Sequence, residues 1–383
     1  MTPSLKAQLV LRGRDTRLDL ARGIANWFIF LDHIPHNVVN LLTLRNFGFS
    51  GATDVFVFVS GYAAAILYGQ MMLERGFLVA ATRILQRLAH LYAAYVVLFV
   101  IYVDAISSVA AQYATTDIID EYHLSGIVGD PTTTLLNGLL LQTKPLHLDS
   151  LQLFIALLAI FPLVLWGLMR RPYLTMAGSV ALYVAARWFD LSVPTYPDGS
   201  WYFNPFCWQL LFVMGAWFAL NRRGLVRTMT HMPWLRLAAF AYLLIALEAT
   251  TLGQAGALNG LIPDFPLNPL APADKENLAL YRVVHVLALA LLFTYWMPRE
   301  WSGLRSRILQ PVIKCGEEWL SVFCVGVFLS FAGHFILITS PNSLSLQIAV
   351  SLAGIAIMTM VAYYISWSRQ QDRDRKSGLG ARA

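Results

Sequence analysis

Apolar residues run in long blocks along most of the chain, interrupted at intervals by arginine, proline, asparagine and glycine. A helix needs about 20 mostly apolar residues to cross a bilayer core. Ten blocks answer to that description, near 21–44, 52–70, 84–104, 149–168, 173–189, 205–221, 235–253, 278–297, 316–338 and 344–367. Turn signals separate them: Arg170-Arg171-Pro172, the stretch from Pro194 to Gly199, the stretch from Pro263 to Pro272, and Pro341-Asn342. The pattern predicts an all-α integral membrane protein with about ten transmembrane helices. No internal repeat divides the sequence, so residues 1–383 read as one polytopic domain with a basic head over 1–20 and a basic tail over 368–383.

Composition agrees. Hydrophobic residues make up 57% and charged residues 13%, against about 25% charged in soluble proteins. A soluble enzyme, a disordered regulator and a disulfide-stapled domain are excluded. The net charge of +6 acquires meaning from its placement. With the N-terminus in the cytoplasm, 23 of the 28 lysines and arginines fall in the six inner segments; Arg45, Lys144, Arg187, Lys275 and Arg282 fall outside. This positive-inside bias predicts both termini in the cytoplasm and marks topology, not a nucleic-acid footprint. The polar, basic N-terminus shows no cleavage site, so the first run is kept as a span. Cys207, Cys315 and Cys324 sit in apolar runs without a CxxC spacing, so neither a disulfide framework nor a metal site is expected.

Ionisable groups at bilayer depth cost roughly 2.5–3.5 kcal/mol each on insertion scales, which makes their positions informative. On the first helix, Asp19, Arg22, Asn26, His33 and Asn37 fall on one stripe at 100° per residue. Arg22 and His33 lie three turns apart, roughly 16 Å of rise, with Arg22 at the cytoplasmic end and His33 near mid-membrane. Asp32 lies about 100° round the helix. A lone histidine there reads as a packing residue; in a five-membered polar stripe it reads as functional. The third helix carries Arg83, Arg87 and His90 near its cytoplasmic end, with the latter two expected to sit deeper. Guanidinium forks suit phosphates; anchoring by snorkelling side chains is the competing reading. In the outer half, Asp54, Asp149, Asn204, Gln209, the Arg282–His285 pair and His334 come from separate helices, and Asp149 reads as a helix cap.

Histidine is poised near neutral pH to activate a hydroxyl, and inner-face cations offer a seat for the phosphates of an acyl-CoA. Serine-hydrolase, zinc-protease, P-loop and dinucleotide-binding motifs are missing from the sequence. Several segments resemble the OpgC family. They are Arg14-Asp-Thr-Arg17-Leu-Asp19-Leu-Ala-Arg22-Gly23 with Phe30-Leu-Asp32-His33-Ile-Pro35, Phe47-Gly-Phe-Ser, and Asp54-Val-Phe-Val-Phe-Val-Ser60-Gly61-Tyr62. Asn204-Pro-Phe-Cys-Trp208-Gln209 and the segment from Cys324 to His334 continue the likeness, in order, over essentially the whole chain.

The resemblance implies an acyltransferase-3 type enzyme of the bacterial inner membrane, in which an arginine and a histidine eleven residues apart on the first helix are the hallmark. It implies transfer of succinyl groups from succinyl-CoA to osmoregulated periplasmic glucans, with His33 as base, Asp32 as helper and Arg22 in the donor site. Arg17, Asn26, Arg83, Arg87 and His90 are grouped with the donor; Asp54, Asn204, Gln209, Arg282, His285 and His334 with the acceptor and acyl group. Arg282 suits a succinyl carboxylate. Acyl-CoA, a periplasmic glucan and the bilayer are the expected partners, a homodimer is one expected form, and no tightly bound cofactor, metal or nucleic acid is expected. Competing readings are an acyl or acetyl transferase for another envelope polysaccharide, a secondary transporter or flippase, and a structural subunit.

Overall fold

The computed structural model describes residues 15–35, 37–113, 130–143, 147–196, 199–220, 228–254, 275–341 and 343–380. No strand occurs among them, and every apolar block of the sequence falls on a helix. In chain order these are α1 (Thr16–Asp32), α2 (Ala52–Arg75), α3 (Phe77–Tyr113), α4 (Pro131–Leu139), α5 (Asp149–Arg170) and α6 (Pro172–Trp188). They continue with α7 (Pro205–Leu220), α8 (Pro233–Gln254), α9 (Leu280–Trp296), α10 (Gln310–Glu317), α11 (Trp319–Thr339) and α12 (Leu344–Gly380). Proline sets several starts: α4, α6, α7 and α8 each open on one, where the missing N–H costs nothing and the fixed φ suits the first turn.

Six helices, α2, α3, α5, α8, α11 and α12, are long and apolar enough to cross a membrane. The apolar α7 and α9 are shorter, and α1 and α6 have 17 residues each. Exposed leucines such as Leu174, Leu237 and Leu352 leave apolar faces uncovered by protein, as a lipid-facing helix requires.

The first block differs from its expected extent. α1 stops at Asp32, not near 44, and the chain continues through 3-10 turns at Val38–Leu42 and Leu44–Asn46. Pro35 supplies the reason: it lacks an N–H, and its ring drives Ile34 out of the α region. Consequently His33 stands at the C-cap and not mid-helix, and Asn37 leaves the polar stripe to cap the first 3-10 turn, its side chain accepting from the Val39 N–H.

The described residues pack as two compact units, one over Val57–Leu292 and the other from the residues on either side of that range. In the first, α5 packs on α3, α6 and α7, and Phe161 of α5 meets Phe212 of α7 edge-on at 5.1 Å. α2 crosses α7 with glycine on both sides: a methyl at Gly61 would strike the Phe212 carbonyl, and one at Gly215 the Phe58 carbonyl.

In the second unit α1 packs on α10 and α11, and α12 packs on α10 and α11. The same device recurs: a methyl at Gly23 would strike the Val312 carbonyl, and one at Gly316 the Asp19 carbonyl. Phe30 of α1 lies against Gly326 and Gly354 in a core with Leu31, Ile34, Cys315, Val322, Leu337 and Met358. At the start of α11, Glu318 forms an ion pair with Arg369 of α12.

Backbone cannot yield as a side chain can, so Gly23→Ala and Gly215→Ala are each expected to cost at least the roughly 1–3 kcal/mol of ordinary overpacking. Gly178 of α6 has open space around its would-be methyl, so Gly178→Ala should be neutral or stabilising by up to about 1 kcal/mol. Thermal unfolding of the detergent-solubilised protein checks all three.

Candidate active site

The second unit holds the residues of α1. Asp15 caps the helix by accepting from the Arg17 N–H at 3.2 Å. Its carboxylate also accepts from Arg17 Nε at 3.0 Å and Nη2 at 2.8 Å, and from Arg299 Nε at 3.0 Å. A further guanidinium N–H of Arg17 donates to the Met297 carbonyl at 2.9 Å. Burial alone would push the Asp15 carboxyl up; hydrogen bonds from Arg17 and the charges of Arg17 and Arg299 outweigh it and hold the group below its ordinary range. One turn on, Arg22 donates to buried Asp19 at 2.7 Å. Both arginines of this helix that the sequence groups with the donor thus hold carboxylates.

Asn26 follows one turn after Arg22. Its Nδ2 donates to the Trp319 carbonyl at 3.1 Å, and its buried Oδ1 has no hydrogen-bond partner among the described residues. His33, half-buried, closes the helix, its N–H directed to the Ile29 and Phe30 carbonyls at 3.1 and 3.3 Å. The Asp32 carboxylate accepts from the Thr43 hydroxyl at 2.6 Å and faces Arg45 Nε at 3.4 Å. The 3-10 segment is tied down elsewhere too: Asn37 donates to Ser351 at 2.9 Å, and the Val38 N–H to Gln347 at 2.7 Å.

Two residues grouped with the acceptor share this unit. Asp54, fully buried, reaches back to accept from the Gly51 N–H at 2.9 Å, the reciprocal half of a capping box. His334 is buried on α11.

The unit over Val57–Leu292 contains the others. On α3, Arg83 and His90 are exposed while Arg87 is half-buried. Ile84, Leu91 and Leu98 form the buried stripe of that helix, which turns the neighbouring positions 83 and 90 outward. Arg83 donates to Gln86 on its own helix at 3.1 Å. Asn204 is fully engaged at the start of α7, donating to the Leu191 carbonyl and to Asn277 at 2.6 and 2.9 Å and accepting from the Phe206 N–H. Gln209 clamps α7 to α6: its Oε1 accepts from Ser179 Oγ at 2.6 Å, and its Nε2 donates to the Ser179 carbonyl at 2.9 Å. Arg282 and His285 are buried on α9, with the His285 ring 6.3 Å from that of Tyr242.

Asp15, Thr43, Arg45 and Arg299 complete the surroundings of α1 without having stood out in the sequence. Asp15 alone carried a signal, a carboxylate one residue ahead of a helical pattern. Thr43 and Arg299 reach α1 through tertiary packing.

A family model described as OpgC protein matches residues 14–370. No curated protein and no solved structure matches the chain.

Asp15 carries a pH prediction. Its native carboxyl holds a proton less readily than the unfolded chain's, so its stabilisation is complete above the unfolded value, about 3.9, and drains away as pH falls through the lower native value. Thermal unfolding below about pH 4 should therefore show a steeper loss for the wild type than for Asp15→Asn.

Proposed function

The chain belongs to the OpgC protein family, which implies acyltransferase activity toward glucans, and on that premise we propose that it moves a succinyl group from cytoplasmic succinyl-CoA to hydroxyls of osmoregulated periplasmic glucans. The observation that carries this reading is the position of His33 at the broken end of α1, half-buried and three turns from Arg22. A side chain at a helix end can meet a substrate that a packed helix interior would shut out.

In the proposed reaction His33 accepts the proton of a glucan hydroxyl as the oxygen attacks the thioester carbonyl carbon. The C–S bond breaks, the CoA thiolate leaves and is protonated, and an oxygen ester remains on the glucan. General-base help of this kind is worth about 10²–10⁴ in rate. Asp32 steadies the helix end beside the base. Arg17, Arg22, Asn26, Arg83, Arg87 and His90 are assigned to the donor. At Arg17 and Arg22 phosphate binding would exchange one anion for another, since Asp15 and Asp19 already occupy them. Asp54, Asn204, Gln209, Arg282, His285 and His334 are assigned to the acceptor and acyl group, with Arg282 facing the succinyl carboxylate. The bias of lysine and arginine supports ten spans with both termini inside, in the inner membrane.

In membranes supplied with labelled succinyl-CoA and periplasmic glucan, His33→Ala should lower transfer by about a hundredfold or more at an unchanged protein level. Undiminished transfer would remove His33 from the mechanism. Arg87→Ala should raise the KM for succinyl-CoA and leave that for glucan unaltered; the reverse pattern contradicts a donor role. Mass spectrometry of periplasmic glucans from cells with and without the gene should show a succinyl mass that depends on it.

A further inference from the structure

With α1 ending at Asp32, whatever holds that end also sets the place of His33. The His33 N–H is spent on the Ile29 and Phe30 carbonyls, after which Pro35 turns the chain away. Eleven residues after Asp32 the chain returns. Thr43 is fully buried, and its hydroxyl oxygen lies 2.6 Å from Asp32 Oδ1 and 2.7 Å from the Asn40 carbonyl. One hydroxyl hydrogen serves two acceptors, and Arg45 beside Asp32 decides between them. Its guanidinium lies 3.4 Å from Asp32 Oδ1, which puts a positive charge on that acceptor's side. Asn46 Nδ2, 3.3 Å from the Thr43 oxygen, fills the hydroxyl's accepting side. The rotor is thereby fixed from both sides.

We propose that Thr43 is a positioning residue for acyl transfer: its hydrogen bond to Asp32 closes the chain back onto the end of α1 and fixes the direction in which His33 presents its imidazole. The inference rests on His33 acting as the base. Other ties of the segment run to Ser351 and Gln347 of α12 and hold its middle, while Thr43 and Arg45 meet the carboxylate at the helix end. A displacement of about 1 Å at a reacting group costs about a hundredfold in rate, so a short, charge-assisted tether at this point bears on turnover more than on substrate affinity.

The test measures kcat and both KM values in membranes for the wild type, Thr43→Val, Thr43→Ser and His33→Ala, with succinyl-CoA and periplasmic glucan as substrates. Thr43→Val keeps the shape and removes the hydroxyl; its kcat should fall about tenfold or more, with both KM values nearly unchanged. Thr43→Ser restores the hydroxyl and should recover most of that loss. A wild-type kcat in Thr43→Val, a change confined to KM, or equal impairment in Thr43→Ser overturns the proposal. An inactive His33→Ala beside a fully active Thr43→Val refutes the positioning role while the base assignment stands; a fully active His33→Ala removes both. Should Thr43→Val not accumulate, Thr43→Ala removes the same hydroxyl and should give the same kcat loss with both KM values nearly unchanged, and a wild-type kcat there is equally fatal.

Discussion

Lipid tails are as apolar as leucine, so helices in hydrocarbon gain little by merely covering apolar surface; they associate by approaching closely enough for backbone to touch backbone. Each unit meets that constraint with paired glycines, Gly61 and Gly215 where α2 crosses α7, Gly23 and Gly316 where α1 crosses α10. The second crossing governs the candidate site. Gly23 adjoins Arg22, and the carbonyl on which Gly316 rests is that of Asp19. The buried Asp19–Arg22 pair thus sits within the tightest contact of α1, and the rest of the polar stripe takes its register from there.

Along α1 the polar groups are settled locally. Asp15 gathers two arginines, Asp19 holds a third, and Asn26 spends its amide on a neighbouring helix's carbonyl. Buried charge is tolerable only when paired and hydrogen-bonded, and here the pairing lies almost entirely at the start of the helix. Toward the other end the protein leaves a half-buried imidazole at a break in the backbone, with a carboxylate next to it lashed to the following turns. Most ion pairs of α1 gather at its start, and the proposed base stands at its other end.

The sequence announced the helices well and their ends poorly. Periodicity and proline placed every apolar block on a helix, because a chain in hydrocarbon must satisfy its own backbone. The first block misled because Val38, Val39, Leu41 and Leu42 continue the apolar run past Pro35; in the structure they form a 3-10 turn with Leu41 and Leu42 exposed. Asn204 and Gln209 show a second limit. A polar side chain in an apolar segment needs a partner whether it binds substrate or a neighbouring helix, and one sequence cannot say which. In the structure Asn204 serves a helix start and Gln209 an interhelical clamp, alongside the acceptor role proposed for both. Thr43 illustrates the reverse case, an ordinary residue in sequence whose weight comes from the carboxylate to which the fold returns it.

The length of α12 has a consequence for the surrounding bilayer. α11, with 21 residues, rises about 31 Å, close to the roughly 30 Å of hydrocarbon, while α12 with 37 residues rises about 55 Å. The Glu318–Arg369 pair joins the foot of α11 to a point well along α12. α11 therefore matches an ordinary bilayer, and the part of α12 beyond Arg369 continues as helix for about 16 Å past that pair. A thicker or thinner membrane would mismatch α11, and mismatch of that kind sorts proteins between membranes.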